Sequence, residues 1–276
     1  MHILFLKTEE PVSIWVLVFF LLPFILGLLY AIWASARYYY WYNLKPMDRH
    51  YKTILEQYFI YYQNLPASLK PMFERRVALF IRAKDFYGQQ GLKVTDDMRV
   101  LIAATGVQIT FGFKFFQLPR FNKIFIYPDA YYSRQTKKKH KGEVYPLGRL
   151  IKLSWNNFLK GFADPKDGIN LGIHEMTHAM SLENRYASNG VSNFINRSAY
   201  RTWQNYAHIE MENIRNGKTD FFRAYASSNI EEFMAVSIEV FFERTEDFYD
   251  YNPMLYKATC NLLNQDPLPN KLKNRS

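Results

Sequence analysis

The segment Leu171-Gly172-Ile173-His174-Glu175-Met176-Thr177-His178-Ala179-Met180 contains the motif H-E-x-x-H within an apolar stretch. On an α-helix, residues four positions apart lie on one face about a turn apart, so His174 and His178 can share a metal ion. Most other residues of the segment are apolar, which indicates a buried helix rather than a surface helix with two solvated histidines. A buried pair of imidazoles with a carboxylate between them favours a metal site.

A catalytic zinc ion usually has three protein ligands and one open position, so a third ligand is expected elsewhere in the chain. Ser181 and Asn184 stand where a metzincin has glycine and histidine, which excludes that subclass. Ser228 and Glu231 have the spacing of a capping box. That role leaves Glu232 as the candidate third ligand, the alternative being a carboxylate that only stabilises the start of its helix.

Two further side chains are candidates near the same site. Glu239 follows Glu232 by seven residues on the same helix face and is expected to orient a ligand histidine through its second nitrogen. His208 is interpreted as a surface or structural histidine, because the third ligand is better supplied by a glutamate.

The N-terminal part of the chain contains 26 uncharged residues between Glu10 and Arg37. This length exceeds the roughly 20 residues that cross a bilayer core, so a transmembrane helix is predicted at about 12–34. A secretory signal peptide cleaved after 34–36 is the alternative. The net negative flank before the apolar stretch, and the length of that stretch, disfavour cleavage.

The orientation of this helix follows from its flanking charges. Arg37, Lys45, Arg49 and Lys52 follow the apolar stretch, whereas Lys7 alone precedes it. Because the flank richer in Lys and Arg stays cytoplasmic, the body of the protein is predicted to be cytoplasmic. The chain is thus divided into an N-terminal segment, 1–36, and a body, 37–276.

Composition limits the other classes of function. The net charge is +10, but charge alone is weak support for nucleic-acid binding, and no direct nucleic-acid partner is expected. Cys260 is the single cysteine, so no intrachain disulfide is possible, in agreement with a reducing compartment. The aromatic run 38–42 is interpreted either as a membrane-interface belt or as core.

The body is predicted to be α+β. Helices are predicted where apolar residues recur at helical spacing, over 47–63, 69–81, 95–104 with Thr95 as N-cap, and 193–217. Strands are predicted where short apolar runs lie between turn residues, over 123–127 and 149–155. The basic run 137–141 is predicted to be a solvated loop, with attraction to anionic lipid as the alternative.

Five separated blocks of the sequence resemble the Mlc titration factor A family of zinc peptidases, which is related to the catalytic domain of bacterial lethal factor. The blocks are 92–104, 126–130, 153–155, the segment 164–170 that leads into H-E-x-x-H, and 225–236. They occur in the family's order within about 70–245. The resemblance implies a zincin fold, that is, a small mixed sheet with several helices.

The resemblance also implies a role for each site residue. His174, His178 and Glu232 would bind one zinc ion, Glu175 would be the general base, and Tyr225 would direct its hydroxyl at the site. In this family's fold the substrate lies along an edge strand of the sheet, a role expected of 149–155. The expected function is a membrane-anchored zinc peptidase acting on a peptide or protein. The alternative is a membrane-tethered protein that binds a transcriptional repressor.

Overall fold

The computed structural model describes residues 14–39, 46–133, 136–186 and 195–268, and the chain divides into two units, 1–45 and 46–276. The side chains of the aromatic run 38–42 lie outside the described residues, so neither interpretation of that run is decided.

The first unit contains one helix, α1 (Ile14–Tyr39), among its described residues. Its stretch Phe19–Arg37 has a mean hydropathy of 2.0, and none of it is buried. By length and composition this helix could cross a membrane. It ends later than the predicted 12–34, because no helix-breaking residue follows the apolar stretch before residue 39.

The second unit is built from helices packed around a small sheet. Its helices are α2 (Arg49–Tyr58), α3 (Ile60–Asn64), α4 (Lys70–Arg82), α5 (Asp96–Thr110), α6 (Trp155–Ala163), α7 (Leu171–Tyr186), α8 (Arg197–Arg215), α9 (Ile230–Glu243), α10 (Thr245–Tyr251) and α11 (Pro253–Leu263). Its strands are β1 (Asp85–Gly88), β2 (Lys123–Tyr127), β3 (Tyr131–Ser133), β4 (Lys138–His140), β5 (Gly142–Tyr145) and β6 (Leu150–Ser154). The predicted α+β class with a small mixed sheet is confirmed.

Within the described ranges, β1, β2, β6 and β5 form one four-stranded sheet in that order. The first three strands are parallel, and β5 runs antiparallel to β6. The expectation that 149–155 is the edge strand is wrong, because β6 is paired on both sides, and β5 is the edge strand next to it, with β1 at the opposite edge. β6 is largely buried and mostly apolar, so its sequence has the pattern of a strand. The short edge strand β5 contains a glycine and a glutamate, and its sequence therefore does not predict a strand.

Two other local predictions need correction. The helix predicted over 47–63 is interrupted at Phe59, whose extended backbone (φ −112°, ψ 91°) separates α2 from α3 while its ring is buried. Burial of the Phe59 ring outweighs the preference of this stretch for one continuous helix. The basic run 137–141 is largely solvated, but it includes the strand β4, which pairs with β3, and is therefore not a loop.

Helix α5 forms the centre of the second unit. Thr95 is its N-cap as predicted, since the hydroxyl accepts a hydrogen bond from Met98 N at 3.4 Å. The helix is buried nearly all round and packs against α2, α4 and α7. The close approach of α4 requires Gly106, where a Cβ atom would lie 2.7 Å from the ring of Phe80. The contact between α5 and α7 positions α7 relative to this central helix.

Candidate metal centre

Helices α7 and α9 lie side by side and bring the predicted ligands together. His174 and His178 lie on α7, and Glu232 lies in the first turn of α9. The start of α9 is set by Asn229, whose side chain accepts a hydrogen bond from Glu232 N at 2.9 Å. The cap therefore holds the backbone of Glu232 and leaves its carboxylate able to face the histidines of α7.

The predicted capping box of Ser228 and Glu231 is wrong. Ser228 donates its hydroxyl hydrogen bond to Tyr225 O at 2.6 Å, and Glu231 pairs with Arg185 at the surface. The N-cap lies one residue later, at Asn229, because asparagine accepts from the third backbone N–H of the helix as well as serine does. The reason for setting Glu231 aside was therefore wrong, but Glu231 still lies outside the group of candidate ligand atoms, which contains Glu232.

The three candidate ligand atoms are close to one another. His174 Nε2 lies 3.1 Å from His178 Nε2 and 3.2 Å from Glu232 Oε2, and His178 Nε2 lies 3.5 Å from the same oxygen. Three ligands bound to a tetrahedral zinc ion at its usual bond lengths are roughly 3.3 Å apart. The donor set and its spacing thus fit a zinc ion.

Electrostatics at this cluster also favour a cation. Glu232 Oε2 is buried and has no hydrogen-bond partner of normal geometry among the described residues, despite the two imidazole nitrogens nearby. Burial tends to lower the pKa of His174, but Glu232 and Glu239 outweigh burial and raise it to about 10. Burial tends to raise the pKa of Glu232, yet the two histidines hold it below its ordinary value. The carboxylates of Glu232 and Glu239 thus favour a positive charge beside them, and a metal ion would supply it.

Glu239 occupies the position expected from the sequence. Its Oε1 lies 2.8 Å from His174 Nδ1, and its side chain is 1 % exposed. The carboxylate is held by Arg223 Nη2 at 2.6 Å and by Asn170 N at 2.6 Å. A carboxylate that accepts from Nδ1–H leaves Nε2 of the imidazole as the free donor atom towards the cluster.

Glu175 is buried next to the edge strand β5. Burial raises the pKa of Glu175 to about 7, although the two neighbouring histidines oppose this shift. A Cβ atom at Gly142 would lie 2.5 Å from Glu175 Cγ, so a glycine is needed where the strand passes the carboxylate. The backbone of the edge strand thus lies in direct contact with the predicted general base.

Tyr225 lies at the rim of the same cleft, in a short 3₁₀ helix, Ala224–Ser227. It is 53 % exposed, and its ring centroid is 6.5 Å from that of His174. Burial of the hydroxyl and the nearby Glu232 raise the pKa of Tyr225 to about 12, so the hydroxyl keeps its proton at neutral pH. The cleft has a volume of about 420 Å³ and is lined by Gly142, Glu175 and the three candidate ligands.

Comparison with known proteins agrees with a metal-dependent site. The family described as glucose-regulated metallo-peptidase M90 matches residues 33–262, which is most of the chain. The chain belongs to this family. The match extends beyond the predicted 70–245 on both sides and begins inside α1. Membership indicates a metallopeptidase-type protein and a bound metal.

Individual relatives agree with this assignment. Mlc titration factor A of Yersinia pestis is 28 % identical over 205 residues, which cover 68 % of this chain and 74 % of the relative. The same protein of Yersinia pseudotuberculosis matches to the same extent. A Synechocystis protein described as uncharacterized is 25 % identical over 268 residues, covering 90 % of this chain and 97 % of the relative. The predicted resemblance to the Mlc titration factor A family is confirmed.

Two residues that support the cluster were missed by the sequence analysis. Asn170 caps α7 by accepting from Ile173 N at 3.0 Å, and Arg223 holds Glu239 from outside both helices. An asparagine just before an apolar helical run was an available signal for the first of these. No local sequence pattern indicates the role of Arg223, because its partner Glu239 lies 16 residues away in the chain. His208 is exposed on α8 and lies outside the group of candidate ligands, in agreement with its interpretation as a surface residue.

Proposed function

We propose that this protein is a zinc-dependent peptidase with a zincin-like fold, in which His174, His178 and Glu232 hold one zinc ion. The observation that carries this proposal is the mutual spacing of 3.1–3.5 Å of the three donor atoms, next to the buried Glu175. A zinc ion held there would activate a water molecule and polarise the scissile carbonyl. The test is cleavage of a peptide library by zinc-loaded protein, with a chelator as the control.

Two side chains of the cleft would carry the proton and charge steps. Glu175 takes a proton from the attacking water and passes it to the leaving amine, the usual role of the glutamate in H-E-x-x-H. The Tyr225 hydroxyl borders the same cleft and donates a hydrogen bond to the oxyanion that forms at the carbonyl. Both groups line the cleft together with the metal ligands, so one bound peptide bond can meet all of them.

The substrate backbone would bind along β5. Within the described ranges this strand pairs with β6 alone, and its residues Gly142, Glu143 and Val144 line the cleft. A strand with one unpaired side can accept an extended peptide through main-chain hydrogen bonds. Binding there would place a peptide bond next to Glu175, because the strand contacts that carboxylate at Gly142.

Replacing Gly142 by Ala is expected to lower turnover by about 100-fold, since the new methyl group displaces the Glu175 carboxylate and misplacing a reacting group by about 1 Å has that effect. Zinc content should change little, because the three candidate ligands lie outside this contact, whereas the free energy of unfolding should fall by about 1–3 kcal/mol, the usual cost of overpacking a buried site. Peptide hydrolysis, zinc analysis and thermal unfolding measure these quantities.

The matched control is Lys141→Ala, at the preceding exposed position. It should leave turnover unchanged. Full activity in Gly142→Ala would show that the strand does not position Glu175.

The N-terminal helix is proposed to anchor the protein in a membrane, with residues 46–276 in the cytoplasm. Support comes from the length and hydropathy of Phe19–Arg37 and from the basic residues Arg37, Lys45, Arg49 and Lys52 that follow. A protease added to intact cells should leave residues 46–276 uncut and should digest them after permeabilisation. Digestion without permeabilisation would reverse the orientation, and a mature protein beginning near Arg37 would show that the helix is a cleaved signal peptide.

A second candidate function rests on the names of the relatives. The Yersinia proteins are called Mlc titration factor A, which associates them with binding Mlc. This chain could likewise bind a cytoplasmic transcriptional regulator with little or no peptide hydrolysis. In that case a variant without the general base would keep full function.

A further inference from the structure

A second cavity lies in the same unit as the metal centre but outside its cleft. It has a volume of about 1000 Å³, at the upper end of the range for small-molecule sites. Asn170, which caps α7, and Ile173 of its first turn lie in the wall of this cavity, whereas His174 and His178 line the cleft. Within the described residues, the two cavities share no lining residue.

The wall of this second cavity is rich in aromatic rings. They come from α3, α6 and α9 and from residues that flank α3 and α5, and they are Phe59, Tyr61, Phe111, Phe162 and Phe242. Tyr61 contacts Phe111 and Phe242 edge-on, with ring centroids 6.3 Å and 5.7 Å apart. Ring faces carry partial negative charge and attract cations as well as apolar groups.

The charged groups of the wall are mostly acidic. In its described lining, carboxylates outnumber basic groups by four to two: Glu243, Glu246, Asp247 and Asp266 against Lys166 and Arg244. This balance is opposite to that of the chain, whose net charge is +10. The cavity therefore favours a positively charged ligand.

Two of these carboxylates already have partners. Asp247 binds Arg244 Nε at 3.1 Å, and Asp266 accepts from the Tyr256 hydroxyl at 2.8 Å. Each therefore already has a donor on one of its oxygens.

Glu243 is different from these two. Its Oε1 accepts from Asn170 Nδ2 at 2.8 Å, but its Oε2 is buried and has no hydrogen-bond partner of normal geometry among the described residues. The nearby Ile169 N–H donates to Asp167 Oδ1 at 2.7 Å. Burial raises the pKa of Glu243 to about 8, as expected for a carboxyl group without a cationic partner.

We propose that this cavity binds a small organic amine with an apolar body, whose ammonium group pairs with the Glu243 carboxylate in the wall and whose body lies among the aromatic rings. A carboxylate and aromatic faces are together the groups that recognise such a cation. The proposal is independent of zinc and of peptide cleavage.

Calorimetric titration of the full-length chain with three probes of similar size tests the proposal: phenethylamine, phenethyl alcohol and phenylacetate. The titration is done at pH 9, where a carboxyl group with a pKa of about 8 is ionised and phenethylamine is still mostly protonated. Phenethylamine should bind roughly tenfold more tightly than the alcohol, which is the usual gain from a hydrogen bond between charged groups. Phenylacetate should bind most weakly, because the wall is acidic. Equal binding of all three probes, or no binding of phenethylamine at millimolar concentration, would overturn the proposal.

Variants locate the site. Glu243→Gln should remove the preference for the amine over the alcohol, whereas Glu212→Gln, at an exposed position of α8, should keep it. Unchanged preference in Glu243→Gln, or loss of the preference in Glu212→Gln, would contradict the assigned site.

Discussion

Replacing Glu175 by Gln should reduce peptide hydrolysis by roughly 10²–10⁴-fold, the usual contribution of a positioned general base. The amide keeps the shape of the side chain but cannot take a proton from water. Zinc binding should persist, because the three donor atoms come from His174, His178 and Glu232. Turnover, zinc content and thermal unfolding of the variant measure these effects.

Tyr225→Phe provides a matched comparison in the same cleft. It removes one donor to the oxyanion and should lower turnover by roughly 10²–10³-fold, again with full zinc content. If fully zinc-loaded wild-type protein cleaves no peptide in a broad library, and Glu175→Gln complements a strain that lacks the gene, peptidase activity is not the function. The regulator-binding alternative would then stand.

Removing the carboxylate of Glu232 should release most of the metal. In Glu232→Ala two imidazoles remain, and zinc affinity should fall by more than the roughly 10–100-fold lost when an outer partner of a ligand is removed. The helix should survive, because Asn229 caps α9 through the backbone N–H of residue 232 and not through its side chain. Competition with a chromogenic chelator measures the affinity.

The neighbouring residue in the same turn supplies the control. Glu231→Ala breaks an ion pair with Arg185 in which both side chains are more than one-third exposed, so it should change stability by at most about 1 kcal/mol. Its zinc affinity should equal that of the wild type. Equal zinc retention in the two alanine variants would show that the third ligand has been assigned wrongly.

Several features could be predicted from the sequence because they depend on neighbours within one turn or one strand. The spacing of His174 and His178 places them on one helix face, and β2 spans the predicted 123–127. Thr95 caps α5 through a hydrogen bond to a residue three positions away. The apolar run near the N-terminus forms a helix as predicted, although its end lies later.

The pairing of Glu232 with these histidines could be predicted from the sequence only in part. The sequence offered Glu232 as a candidate, but helix spacing alone left open whether it only stabilised the start of α9. The approach of α7 and α9 brings its Oε2 within 3.5 Å of both imidazoles. That distance depends on the packing of two helices far apart in the chain.

What the sequence alone determined, therefore, is local structure: the H-E-x-x-H helix of the site and, separately, an apolar N-terminal helix, because hydrophobic period and capping are encoded by adjacent residues. Only the tertiary structure decided which strand is the edge and why residue 142 is glycine. It also decided that Asn170 and Arg223 hold Glu239. Such features depend on which segments pack together over long sequence separations, and short segments such as β5 carry too little pattern to predict their partners.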